Sequence, residues 1–206
     1  MSYTLEQGKR LIQLARESIL GFFSNKEAKV GNGLKAEFRS PSGIYVTLKK
    51  NGLLRGRMGF SDARYPLYEG IVKAGQSAAL TDQRFPPVEA DEMEKISIEA
   101  SILSRPKLVE VRNPEDLLEN ISIGTDGLIV IGTFHSGLLL PQVAVESKWD
   151  SKRFLEQTCI KAGLPKNAWE DFNQCRVYTF QCQTFAEHGS NVAEVNLKPQ
   201  KAKIRR

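Results

Sequence analysis

Asn51-Gly52, set between two strand-like runs, constrains this chain more than any other feature. Gly43-Ile-Tyr-Val-Thr-Leu-Lys49 precedes it and Leu54-Arg-Gly-Arg-Met-Gly-Phe60 follows. Asn-Gly accepts the paired positive φ values of a type I′ turn, whose twist suits flanking strands, so the spacing predicts an antiparallel hairpin. The return strand carries two glycines and two arginines. Glycine weakens a strand and is kept where a bulge forms or where another backbone or a ligand comes close. Simple alternation sets Arg55 and Arg57 on one face, beside Tyr45 and Thr47, and guanidinium groups on one face make a candidate anion site.

The rest of the chain punctuates itself clearly. Thr4-Leu-Glu-Gln7 has capping-box spacing and starts a helix with the apolar stripe Leu11, Ile12, Ala15, Ile19, Phe22 and Phe23, ending before Gly31-Asn32-Gly33. A second helix runs from Arg64 to Leu80 on Leu67, Ile71, Ala74 and Ala78, with Pro66 in its first turn and Gly70, Gly75 and Ala79 permitting close packing. Thr81-Asp-Gln-Arg-Phe-Pro-Pro87 stops it as a stiff loop. Ile96, Ile98, Ala100 and Ile102 alternate with polar residues as a half-buried strand, and Asn113-Pro114-Glu115 opens a short helical turn. Gly127–Ile131 and Gly137–Leu140 form a second hairpin, a brief helix covers Gln142 to Lys148, and Asp150 N-caps a helix with the stripe Phe154, Leu155, Thr158, Cys159 and Ala162. Arg176 to Phe185 reads as a last strand.

Hairpins and single strands separated by helices, without regular βαβ alternation, predict an α+β fold with a largely antiparallel sheet and flanking helices. No G-x-G-x-x-G and no P-loop follows a strand, so no nucleotide-phosphate fingerprint is present. The length suits one large domain or two packed lobes. No apolar window is long enough to span a bilayer and no secretory signal opens the chain, so it is expected to be cytoplasmic, with no membrane partner. Cys159, Cys175 and Cys182 form an odd set without a C-x-x-C pair, which fits a reducing compartment and leaves each as an inert, largely buried thiol. Neither His135 nor His188 has a second ligand at metal-binding spacing, so no metal and no cofactor are expected.

The net charge of +5 is matched by the five basic residues after Glu194, namely Lys198, Lys201, Lys203, Arg205 and Arg206. The body is therefore neutral, which argues against a nucleic-acid-binding surface there. The tail is either a polyanion-binding arm or a solubilising tail, and short basic tails of the second kind are compositionally cheap.

Several co-linear motifs carry a resemblance to a known family. They are Val46-Thr47-Leu48, Leu54-Arg55-Gly56 with Gly59, Ala78-Ala79 with Asp82-x-Arg84-Phe85-Pro86-Pro87, Gly127-Leu128, Leu139-Leu140-Pro141-Gln142-Val143-Ala144 and Lys161-Ala162-Gly163. In order and spacing the chain resembles the AMMECR family over about residues 5 to 187. The resemblance implies a single α+β domain over 1–190 made of two closely packed lobes, followed by the basic tail 191–206. It further implies a cleft near the Leu-Arg-Gly strand and an association with Memo-type or radical-SAM partners. The family's activity is unsettled. Where the family signature has a cysteine, this chain has Arg57. A guanidinium offers no nucleophilic electron pair, so either this member has lost thiol chemistry at that position or the cysteine was never essential.

Three functional readings follow. The first is a ligand-binding or accessory module that holds a small anionic ligand on Arg55, Gly56, Arg57, Gly59, Asp82, Arg84 and Phe85. Against it stands a purely structural role, in which Asp82 pairs with Arg84 or Arg55 and tethers the stiff loop to the hairpin. The second is an enzyme of unassigned reaction class in the same cleft, with Asp82 or Glu146 moving a proton and Glu187 a further carboxylate. A third places nucleic acid on Lys198–Arg206 only.

Overall fold

The structure is a computed structural model that describes residues 2–26 and 28–197. The basic residues Lys198 to Arg206, and with them the polyanion-arm reading, lie outside the described residues. In chain order the helices and strands are α1 (Leu5–Phe23), α2 (Asn32–Glu37), β1 (Gly43–Lys50), β2 (Leu53–Phe60), α3 (Leu67–Leu80), β3 (Ile96–Leu103), β4 (Lys107–Leu108), α4 (Pro114–Glu119), β5 (Asp126–Gly132), β6 (Ser136–Leu139), α5 (Pro141–Glu146), α6 (Ser151–Lys161), β7 (Cys175–His188) and β8 (Asn191–Glu194). Short 3-10 turns cover Ala90–Lys95 and Ala168–Glu170. The α+β class and the antiparallel pairing expected from the sequence are both present. Contacts divide the chain into two compact units, one built from the chain up to Leu103 with Gln183–Val195, the other on Ser104–Cys182.

In the first unit β2 pairs with β1 and β1 with β3, and the last residues of β7 pair with β8. Asn51 and Gly52 take φ values of 52° and 81°, as the hairpin turn requires. One face of this sheet carries Ile44, Val46 and Leu48 of β1 and Ile98, Ala100 and Ile102 of β3. Leu11, Ile12, Ala15 and Ile19 of α1 and Leu67, Ile71, Ala74 and Ala78 of α3 join them in one core. Helix α1 starts on the Thr4 capping box, with Gln7 N–H donating to Thr4 Oγ1 at 3.2 Å and Thr4 N–H to Gln7 Oε1 at 2.9 Å. Its stripe ends earlier than the sequence suggests: Phe22 is 52% exposed and meets Phe23 edge to face. Gly31-Asn32-Gly33 is likewise no simple stop, because α2 begins inside it.

The second unit sets β5 between β6 and the first half of β7, with the two-residue β4 also against β7. Leu128, Val130, Phe154, Leu155, Cys159, Ala162, Trp169 and Val177 form its core. Asp150 caps α6 by accepting the Arg153 N–H at 2.8 Å. Strand β7 is not the last one: β8 follows it, and His188 lies within β7 rather than beyond it.

Candidate functional site

The hairpin pairs Thr47 with Arg57 and Leu48 with Gly56, then slips so that Lys49 faces Leu54. Arg55 is the extra residue of a β-bulge, and a bulge re-aims the side chain it carries. The expectation that Arg55 and Arg57 share a face is therefore corrected, because it rested on unbroken alternation. Their partners differ accordingly. Arg55 donates through Nε and Nη2 to the two carboxylate oxygens of Glu92, at 3.0 and 2.8 Å, and also reaches the carbonyls of Pro86 and Pro87 at 2.9 and 3.2 Å. Arg57 donates through Nε to Thr47 Oγ1 at 2.9 Å.

The Arg55–Glu92 pair is a bidentate ion pair with both side chains only 13% exposed. Lys50 Nζ adds a contact to Glu92 at 2.8 Å and the Glu89 N–H another at 2.9 Å. The Arg55 guanidinium above all, helped by Lys50 and the Glu89 amide, holds the Glu92 carboxyl at about 2 despite its burial. Arg55 thus ties the bulge to the loop after α3. The glycines beside it make room for protein. A Cβ on Gly56 would fall 2.1 Å from the Ala78 carbonyl oxygen of α3, and one on Gly59 2.1 Å from the Ile44 carbonyl oxygen of β1.

Asp82 follows α3 by two residues and is buried, its side chain only 5% exposed. Its Oδ2 accepts the backbone N–H of Arg57 at 2.8 Å, while Arg84 donates Nε to Oδ1 at 2.9 Å and Nη2 to Oδ2 at 2.7 Å. Arg84 Nη2 also approaches the Arg57 carbonyl oxygen at 3.4 Å. Strand β2 is at the sheet's edge. The Asp82–Arg84 pair therefore meets both backbone polar groups of Arg57 much as a neighbouring strand would, protecting an edge that unpaired groups leave prone to foreign pairing. The Arg84 guanidinium, with the Arg57 and Arg84 amides, lowers the Asp82 carboxyl to about 2 against the opposing effect of burial. The Arg84 side chain is 53% exposed and its Cζ stands 5.6 Å from the centre of the half-buried Phe85 ring.

Residues 12–185 match the AMMECR1 family pattern. The chain belongs to the AMMECR1 family. It is 42% identical over 185 residues to a protein of Methanothermobacter thermautotrophicus, covering 89% of this chain and 96% of that one. It is 44% identical to Protein MK0488 of Methanopyrus kandleri, covering 89% and 90% of the two chains. The crystal structure of the uncharacterized protein PH0010 from Pyrococcus horikoshii matches with a TM-score of 0.89 at 39% identity, over 93% of this chain and 98% of that one.

Within this AMMECR1 domain, Arg55, Gly56, Arg57, Gly59, Asp82, Arg84 and Phe85 all belong to the first unit, whereas Glu146 is the exposed last residue of α5 in the second. Glu187 accepts Arg16 Nε at 3.0 Å, Arg16 Nη2 at 2.5 Å and the Ile98 N–H at 2.8 Å, and Arg16 goes on to the Met93 and Ile96 carbonyls. That set of bonds clasps α1 to the sheet. Sequence reasoning missed Glu92 as the partner of Arg55, since a mixed acidic stretch such as Ala90–Lys95 reads as a solvated turn. Thr47, which the sequence sets beside β2, is the residue on which the Arg57 side chain settles. Among the described residues no group of three His, Cys, Asp or Glu is placed to hold a metal, and no helix is long and apolar enough to cross a membrane.

Proposed function

We propose that this AMMECR1 domain is a ligand-binding or accessory module, with an anion-compatible surface on the β2 edge formed by Arg57, Arg84 and Phe85. The observation that carries the reading is Arg84: an exposed guanidinium held in place by a buried carboxylate and set over an aromatic face. Fixing such a fork in advance removes much of the ordering cost of binding a carboxylate or phosphate. Arg55, Gly56, Gly59 and Asp82 serve as scaffold in this reading, because their polar groups and open space are taken up by the protein itself. Proton transfer by Asp82 finds no support. A carboxyl held at about 2 is too weak a base near neutral pH.

A thermal-shift screen of small carboxylates and phosphates tests the proposal, since a ligand that binds only the folded state raises stability by mass action. The expected result is stabilisation by one anion class that disappears in Arg84→Ala and weakens in Arg57→Met. Absence of stabilisation by any anion in the wild-type protein would sink the reading.

A further inference from the structure

The second unit has a groove where β4 parts from β7. Lys107 and Leu108 face Thr179 and Tyr178 in an antiparallel ladder, and the Val109 N–H donates to the Val177 carbonyl at 3.0 Å. Continued, that register would bond Val111 to Cys175 and set Glu110 opposite Arg176. Among the described residues no backbone bond joins Glu110 or Val111 to β7, so the ladder opens there. A cavity of about 230 Å³ occupies the opening. Leu117 and Val177, 1% and 4% exposed, form its floor with Cys175. Leu108 and Phe172, 41% and 45% exposed, stand at its mouth with the exposed Glu110 and Arg176.

We infer that this groove binds a free α-amino acid with an apolar side chain: Arg176 takes the carboxylate, Glu110 the ammonium group, and the floor the side chain. Glu110 and Arg176 are the opposite charges that the continued register would pair across the strands. The opening holds them apart, and among the described residues neither side chain makes an ion pair or a hydrogen bond. Both therefore face the groove with their full bonding capacity. All of these residues belong to the second unit, so the site is separate from the anion surface on β2.

Charge, shape and size select this class of ligand together. A guanidinium presents a planar fork that matches a carboxylate, and a glutamate carboxylate accepts the N–H groups of an ammonium. An anion alone would meet the like charge of Glu110, and a cation alone that of Arg176. In an α-amino acid both charged groups branch from one carbon, so they can stay on the wet rim while the side chain enters the apolar floor. An ω-amino acid would lay its chain across the rim and offer the floor nothing. Sites for drug-sized ligands begin at roughly 300 Å³, so a cavity of about 230 Å³ suits one small molecule rather than a peptide.

The test titrates the full chain with leucine, followed by calorimetry and by amide NMR. The expected result is saturable binding at millimolar leucine or below, with shifts concentrated at the amides of Val109 to Val111 and Cys175 to Val177. Three relatives of leucine dissect the recognition. Its isomer ε-aminocaproate moves the ammonium to the far end of the chain, N-acetyl-leucine removes that charge, and leucinamide removes the carboxylate; each should bind at least about tenfold more weakly. Glu110→Gln and Arg176→Gln change exposed side chains, so both should melt as the wild type does and lose about tenfold or more in leucine affinity. Absence of saturable shifts at these amides, shifts centred instead on Arg84 and Phe85, equal binding of any of the three relatives, or unchanged affinity in either variant would overturn the inference.

Discussion

The closest test of how the hairpin is built is Gly56→Ala. The new Cβ would stand 2.1 Å from the Ala78 carbonyl oxygen and 3.1 Å from its carbonyl carbon, both backbone atoms of α3. An ordinary close carbon–oxygen approach is ~3.3 Å, so α3 has to withdraw by roughly 1 Å from β2. A gap of that size forfeits up to about half of the dispersion energy along the contact. The contact is the core face of α3, where Ile71, Ala74 and Ala78 are at most 1% exposed. Overpacking of this kind costs about 3 kcal/mol, which for a chain of this length lowers the melting temperature by roughly 6–12 °C. Urea and thermal melts of the variant read both quantities. Gly33→Ala is the matched control: a Cβ there meets nothing within 4 Å, and in α2 alanine replaces glycine with a gain of about 0.5 kcal/mol. If Gly56→Ala unfolds within about 1 kcal/mol of wild type while the control behaves as stated, the close approach of α3 does not explain this glycine.

Acid titration should reveal the two clamped carboxylates. Glu92 and Asp82 are held at about 2, below their ordinary 4.5 and 3.8, so the unfolded chain binds protons first as pH falls. Their contribution is full above pH ~4.5 and is lost progressively towards pH ~2; urea melts across that window should show stability rising with pH, with a shallower slope in Glu92→Gln. Arg55→Ala should destabilise by about 3 kcal/mol, since it strips a buried carboxylate of its bidentate partner, yet leave any anion-induced rise in melting temperature intact. An anion response lost in Arg55→Ala would return that residue to the binding surface. Asp150→Ala should cost about 1 kcal/mol through loss of the α6 cap, read by urea melts.

Local chemistry made much of this fold legible. The Thr4 capping box, the Asn51-Gly52 turn, the Asp150 cap and the alternation of Ile96 to Ile102 each bind a structure to residues a few positions apart, and each appears as expected. What stayed hidden depends on distant groups. Arg55 leaves the face of Arg57 because of a bulge whose position is set by pairing with β1, and nothing within the heptamer marks which residue is extruded. Its acceptor Glu92 lies 37 residues on. Likewise Cys159 and Cys175 form no motif, yet a helix and a strand from separate stretches of chain bury both in one core cluster.

The Asp82–Arg84 clasp suggests how position 57 accommodates an arginine. Asp82 binds the backbone N–H of position 57, and Arg84 approaches its carbonyl oxygen; neither bond depends on the side chain there. The side chain that leaves this position settles instead on Thr47, a residue of the neighbouring strand that is fully buried and hydroxyl-bearing. The edge of β2 is thus secured by main-chain recognition, which leaves position 57 open to chemical change without a change of fold. Arg57→Cys should therefore fold as wild type does, with circular dichroism and melting temperature nearly unchanged. A large loss of stability in that variant would mean that the Arg57–Thr47 bond, rather than the clasp, holds the strand.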